Sequence, residues 1–227
     1  MITPIWEIVM LQLYFSPGAC SFVPHAMLED SGLAFEPRMV KLHKGEQHQE
    51  AYQRINPRGQ VPALAQDGVV VTQIVAICTY IEQLCPARSF LPTEPMARAQ
   101  ALSTLAWMNN TVHPTFTHYF MPQKFHGDAS VQESIRQFAV GQYGQLLNEL
   151  QGMVQNAQHH GSPWLSSEQW GPLDVYALTL TRWGSMAGHD PASRPILWEH
   201  VQKIAEQPGV ARTIERERLT LNMYKAQ

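Results

Sequence analysis

Apolar and polar positions alternate near the start of the chain. Leu11, Leu13 and Phe15 fall on one face, Gln12 and Tyr14 on the other. A period of two predicts a short strand. Ser16-Pro17-Gly18 breaks it. After Cys20 and Ser21, the residues Phe22, Val23, Ala26, Met27 and Leu28 recur at helical spacing, and Gly32-Leu33 ends that helix. Phe35 to Leu42 alternates again through Phe35, Pro37 and Met39 and reads as a second strand. The polar stretch Lys41 to Glu50 is expected to be irregular and mobile, with a helical turn over Glu50 to Arg54. Val61 to Ala65 and Val69 to Val71 read as third and fourth strands, joined at the hairpin signal Asp67-Gly68. Thr72 is expected to cap a helix that turns Val75, Ile77, Ile81 and Leu84 inward. This order predicts a mixed sheet with flanking helices over residues 10–86, an α/β domain.

The period then changes to that of helices. Prolines at 86, 92 and 95 mark a linker over residues 87–94, because proline lacks an N–H and disfavours helix before it. Beyond it, residues 95–227 read as all-α. Met96 to Val112 carries a stripe through Ala99, Leu102, Leu105 and Ala106, followed by Thr111-Val112-His113-Pro114. Ser130 to Val154 reads as a long helix and Asp174 to Trp183 as an apolar, buried central one; Leu197 to Glu206 and Val210 to Arg218 close the bundle. Residues 1–9 read as an extension ahead of the first strand and lack the basic region and cleavage site of a signal peptide.

Composition narrows the class. A chain of 227 residues, 44% hydrophobic, can bury a sizeable core. A formal net charge of −3 gives no electrostatic reason to expect nucleic acid or an anionic membrane as partner. No apolar run approaches the roughly 20 residues of a membrane span. The 3 cysteines form no framework spacing, which points to a reducing, cytoplasmic setting.

The candidate chemistry begins at Cys20. A strand-to-helix turn places it near the positive end of a helix dipole and its unpaired N–H groups, which favour thiolate over thiol. The alternative is an inert cysteine filling a turn, and position alone does not separate the two. Cys78 within an apolar helix and Cys85 beside Pro86 read as structural, and neither forms a CxxC with Cys20. His159-His160 invites a metal reading, but without partner spacing it reads as a solvated loop, and no metal is expected.

A second motif is Ile55 to Leu64, INPRGQVPAL, followed by the hairpin and a TxxxAI helix. Taken with the SPGACS turn, in this order, it resembles the glutathione transferase family. The resemblance is greatest to the bacterial beta class, in which a cysteine occupies the turn that holds Tyr or Ser elsewhere. The resemblance implies an N-terminal thioredoxin-like domain followed by a helical bundle. It also implies glutathione as co-substrate, a small electrophile as acceptor and a homodimer. The implied activity is glutathione conjugation, with thiol transfer or peroxidase activity on the same site. A disulfide oxidoreductase using Cys20, and a binding protein that has lost glutathione, are the alternatives. It implies a cis Val61-Pro62 bond that exposes the Val61 backbone to the cysteinyl part of glutathione. It places Cys20 beside the glutathione sulfur with His113 reaching toward it. It assigns Tyr14, Lys44 or alternatively His43, Gln60, Val61, Pro62, Gln73 and Ile74 to glutathione. The acceptor pocket is expected against Trp107, His113, Phe116 and Tyr119.

Three positions depart from the family pattern. Ile74 stands where a serine or small residue is usual, cannot supply a hydroxyl and is expected to crowd the γ-glutamyl carboxylate. Pro114 replaces a lysine. Gly171 stands where Ser or Thr completes a capping box, so only the half supplied by Asp174 is expected.

Overall fold

The computed structural model describes residues 10–226; the extension over residues 1–9 lies outside them. Four strands form one sheet in the order β2-β1-β3-β4: β1 (Leu11–Phe15), β2 (Phe35–Met39), β3 (Ala63–Gln66) and β4 (Val69–Thr72). β1 pairs parallel with β2 and antiparallel with β3, and β3 pairs antiparallel with β4. Leu11, Leu13 and Phe15 are buried as the alternation requires. The parallel β1–β2 pair needs a crossover, and α1 (Phe22–Ser31) provides it. Seven consecutive residues of α1, Phe22 to Leu28, are buried. Its sequence is apolar almost all round because it is enclosed on several sides, packing on α3 (Ile74–Leu84), α7 (Pro172–Met186) and α9 (Pro208–Glu217). Gly32 ends it in the left-handed conformation at φ +74°.

The expected irregular stretch after β2 is instead two 3₁₀ turns, Leu42–Lys44 and Glu46–His48, ahead of α2 (Glu50–Gln53). The Glu46 carboxylate accepts from the Lys41 N–H at 2.8 Å, which organises the turn. β3 starts later than expected. The Val61-Pro62 bond is cis, so Val61 and Pro62 form the bend and pairing begins at Ala63. Thr72 is the last residue of β4 and caps nothing; Gln73 holds the N-cap position of α3.

The remaining chain is helical: α4 (Pro95–Trp107), α5 (His113–Phe120), α6 (Ala129–His159), α7, α8 (Pro195–Ala205) and α9. Together with the sheet, this is an N-terminal thioredoxin-like domain followed by a mostly helical region. His113 does not lie beyond a helix as the sequence suggested. A π-helical turn, Met108–Val112, joins α4 directly to α5. Pro114, which cannot donate an N–H, stands two residues after this π-helical turn, and the helix runs on through it with Val112 and His113 both in helical conformation. α6 runs further at both ends than its apolar stripe, starting where Asp128 accepts from the N–H groups of Ser130 (2.7 Å) and Val131 (3.3 Å). α7 is the central helix, with almost every side chain from Pro172 to Ser185 buried. Its start is held by Asp174, which is fully buried. The carboxylate accepts from the backbone N–H groups of Leu165 (2.7 Å), Ser166 (3.3 Å) and Gly171 (3.0 Å). Gly171 has no side chain to return the favour, so the box is half-formed as expected, yet Asp174 gathers two N–H groups more than a cap needs. His200 of α8 approaches it at 3.0 Å, an ion-pair distance without the alignment of a hydrogen bond.

Candidate active site

The SPGACS turn is braced from within. Ser16 N–H donates to the Ser21 hydroxyl (3.1 Å), and that hydroxyl donates to the Ser16 carbonyl (3.2 Å). Gly18 takes φ +70°, where a side chain would also meet the Arg182 guanidinium at 2.8 Å. Cys20 follows, two residues before α1 begins, and its Sγ lies 3.5 Å from the Val61 carbonyl. The bend that carries Val61 is pinned in turn by Tyr52 and Asn56. Their side chains donate to the Gln60 carbonyl at 2.6 and 2.7 Å. So two loops far apart in sequence bring a thiol and the backbone of the cis bend together.

The thiolate expectation is corrected by burial. Cys20 is 7% exposed, and desolvation pushes its thiol up to about 12, against the smaller opposing pull of the backbone N–H groups of Cys20 and Ser21. The helix end does act in the expected direction, but loss of water outweighs it. A thiol that titrates so high is almost wholly protonated near pH 7. Iodoacetamide should therefore modify Cys20 slowly at neutral pH, with a rate still rising at pH 10; a plateau below pH 8 would contradict this. Cys78 and Cys85 are also buried, and all three cysteines are free.

His113 is likewise neutral. Burial lowers its imidazole to about 4, and the Lys124 charge adds to that. It therefore offers a lone pair or an N–H rather than a positive charge. Its Nδ1 shares a 2.8 Å hydrogen bond with the hydroxyl of Tyr176, a fully buried residue that no motif singled out. Burial first, and neighbouring Cys20 second, hold the Tyr176 phenol well above its usual range. The His113 ring packs on Trp183 at 4.7 Å, and Trp183 Nε1 donates to the Gly18 carbonyl at 2.9 Å. The histidine and the cysteine turn are thus joined through Trp183.

The other predicted residues fall in three places. Gln73 is exposed and strained at φ +76° and ψ 127°, a rare conformation for a residue with a Cβ. It stands at the N-terminus of α3, whose first N–H groups have no partner within the helix. Ile74 does not crowd that position with its side chain: it is 2% exposed and belongs to the core. Lys44 is exposed on its 3₁₀ turn. Tyr14 lies on the face of β1 opposite Leu13 and Phe15, edge-on to Tyr52 at 5.7 Å. Pro62 is buried in the bend. Of the pocket residues, Phe116 is turned inward. It is 5% exposed and stacks on Trp183 (4.8 Å) and Phe120 (5.6 Å). Trp107 is half-buried at the end of α4. Tyr119 donates to the Met186 carbonyl (2.8 Å) and borders a cavity of about 540 Å³ shared with Arg136, Gln137 and Met223. His159 and His160 are exposed at the end of α6. Among the described residues no group of three or more His, Cys, Asp or Glu could hold a metal ion, and no helix is long and apolar enough to cross a membrane.

A thioredoxin-like sheet, a cysteine at the start of its first helix and a cis-proline bend facing that cysteine define a thiol-handling protein. The comparisons with known proteins agree. Residues 10–83 match the model of the glutathione S-transferase N-terminal domain. The chain is 30% identical over 214 residues to glutathione S-transferase GST-4.5 of Xanthomonas campestris, an alignment spanning 92% of this chain and 100% of that one. It is 45% identical over 102 residues to Protein LigF of Sphingobium, but that match spans only 44% of this chain and 40% of LigF. A crystal structure of a glutathione transferase homologue from Sulfitobacter with bound glutathione superposes with a TM-score of 0.85 at 25% identity, covering 93% of this chain and 100% of that one. A bacterial beta class glutathione S-transferase from Sphingomonas chungbukensis does so at 0.77 and 26% identity, covering 92% and 100%. The chain belongs to the glutathione S-transferase family, and the beta class resemblance read from its cysteine turn holds.

Proposed function

We propose that this protein is a glutathione transferase that delivers the glutathione thiolate to small electrophiles, with Cys20 beside the reacting sulfur. The observation that carries the reading is the 3.5 Å approach of Cys20 Sγ to the Val61 carbonyl. A peptide laid along the Val61 edge would pair with that backbone as an added strand, which sets its cysteinyl sulfur next to Cys20. Gln73 and the N-terminal N–H groups of α3 would hold the γ-glutamyl end, the N–H groups suiting a carboxylate. Lys44, exposed on its 3₁₀ turn, is the cation assigned to the glycyl carboxylate. The glutathione-bound Sulfitobacter homologue supports the ligand. Because Cys20 is held protonated, the bound glutathione sulfur is the nucleophile in conjugation. Cys20 donates to it through its S–H, and His113, held neutral by burial, takes part as a hydrogen-bonding group rather than as a cation. Detoxification, a homodimer and a cytoplasmic setting belong to the same reading.

Without a hydroxyl at position 74 one charge-assisted hydrogen bond is missing, which is worth about 1.5–3 kcal/mol, or about ten- to a hundredfold in affinity. Calorimetric titration of the reduced protein with glutathione should therefore show binding in the weaker part of the micromolar to low-millimolar range, altered in Cys20→Ala. No heat and no thermal shift at about 10 mM glutathione would overturn the reading, since ligand at about 10 times a millimolar dissociation constant adds about 1.4 kcal/mol of stability. That outcome would favour the transferase-fold binding protein that Ile74 first suggests.

A further inference from the structure

The turn that carries Cys20 is gripped on its far side by residues that no motif marks. The N–H of Gly18 donates to Glu217 Oε2 at 2.8 Å, across a separation of 199 residues. The other oxygen of Glu217 lies 2.7 Å from His25 Nδ1, and both side chains are fully buried. The second nitrogen of His25 faces Glu29 at 3.9 Å, and Arg216 holds Glu29 from outside at 2.9 Å. The opposite edge of the same peptide region is held too: the Gly18 carbonyl accepts from Trp183 Nε1 at 2.9 Å and from Arg182 Nη1 at 3.4 Å. A buried carboxylate is retained only with partners that replace its water, and here those partners are His25 and the backbone of the turn. With its N–H and its C=O both held, Gly18 cannot rotate without breaking one of these hydrogen bonds. Cys20 is two residues further on.

We propose that Glu217 is a positioning residue for the thiol chemistry: through the Gly18 N–H it sets where the Cys20 sulfur lies against the Val61 carbonyl. Its kinetic consequence rests on the glutathione-transfer reading above; the placement of Cys20 does not. Glu217 touches no reacting atom in this scheme. It acts by holding the turn, and a displacement of about 1 Å at a reacting group can cost about a hundredfold in rate.

The test uses Glu217→Ala, Glu217→Gln and Trp183→Phe in the full chain, with two readouts. One is steady-state conjugation of glutathione to a chromogenic electrophile. The other is iodoacetamide modification of Cys20 in the ligand-free protein, with the adduct located by mass spectrometry. In Glu217→Ala, kcat should fall by about ten- to a hundredfold while KM for glutathione stays within about threefold, because Gln73 and Val61 are untouched. Loosening the turn admits water, so Cys20 should be modified at least about threefold faster even as turnover falls. Glu217→Gln, which keeps an acceptor for Gly18 and a donor for His25, should restore both readouts to within about threefold of wild type. A folded Glu217→Ala protein with wild-type kcat overturns the proposal, whatever its modification rate, and so does a change confined to KM. If Glu217→Ala does not fold, Trp183→Phe decides. It removes the indole donor and keeps the ring on His113, so slower turnover with faster modification supports the proposal and unchanged readouts overturn it. Faster Cys20 modification in a protein that shows no turnover in any form would sink the transfer reading and leave the placement of Cys20 standing.

Discussion

Replacing Asp174 by alanine should destabilise the protein by about 3–5 kcal/mol, because it strands several buried partners at once. Three backbone N–H groups, of Leu165, Ser166 and Gly171, converge on this one carboxylate, and His200 lies 3.0 Å from it. Most of them gain no water in exchange, since Asp174, Ser166 and Gly171 are buried and His200 is 2% exposed. Gly171 offers no alternative cap, because a Cβ there would meet the Phe90 carbonyl at 1.9 Å. For a chain of this size the loss corresponds to a fall in Tm of roughly 6–20 °C. Asn at this position keeps one good acceptor and should lose about half as much. Chemical denaturation reads the effect directly as a lower midpoint at unchanged slope. An Asp174→Ala protein within about 0.5 kcal/mol of wild type would remove Asp174 from this role.

Cys20→Ser should separate the two chemistries that the site can support. Thiol transfer through a mixed disulfide needs a sulfur at position 20, and a serine oxygen cannot form one. Glutathione-dependent disulfide reduction should therefore fall by at least about a hundredfold. Conjugation needs only the glutathione sulfur as nucleophile, and a serine hydroxyl can still donate to it. That activity should fall by less than about tenfold, within the range of losing one hydrogen bond. The two assays on one preparation give the answer. Equal loss of both would make Cys20 itself the nucleophile and would contradict a thiol held protonated by burial.

Local patterns and long-range packing were not equally legible. The alternation of Leu11, Leu13 and Phe15 and the stripe of α1 predict the elements found, because those patterns are imposed by the periods of strand and helix. The cysteine turn was legible in the residue pattern, whereas the cis bend was implied only by the family resemblance that the two motifs carry. What depends on three-dimensional surroundings was not. Helix-end electrostatics argue for a thiolate at Cys20, but only the packed structure shows that burial reverses the sign. Thr72 looks like a cap by residue type, yet β4 claims it for pairing with Ala63, and the cap position falls to Gln73. Ile74 looks obstructive on paper and is turned into the core. Tyr176, Trp183 and Glu217 carry no local signal, since each acts across a separation of 63 residues or more.

The grip of Glu217 on Gly18 also sets a clock. During synthesis the cysteine turn leaves the ribosome long before the residue that holds it, 199 residues further along the chain. At translation rates of about 5–20 residues per second the thiol waits roughly 10–40 s for its last buried partner. Through that interval the Cys20 turn lacks its anchor from the C-terminal region and is more open to oxidants and alkylating agents than in the finished fold. The finished fold, with its sulfur in dry surroundings, is the less reactive state. The vulnerable period of this thiol therefore falls in the nascent chain, before there is an enzyme to speak of.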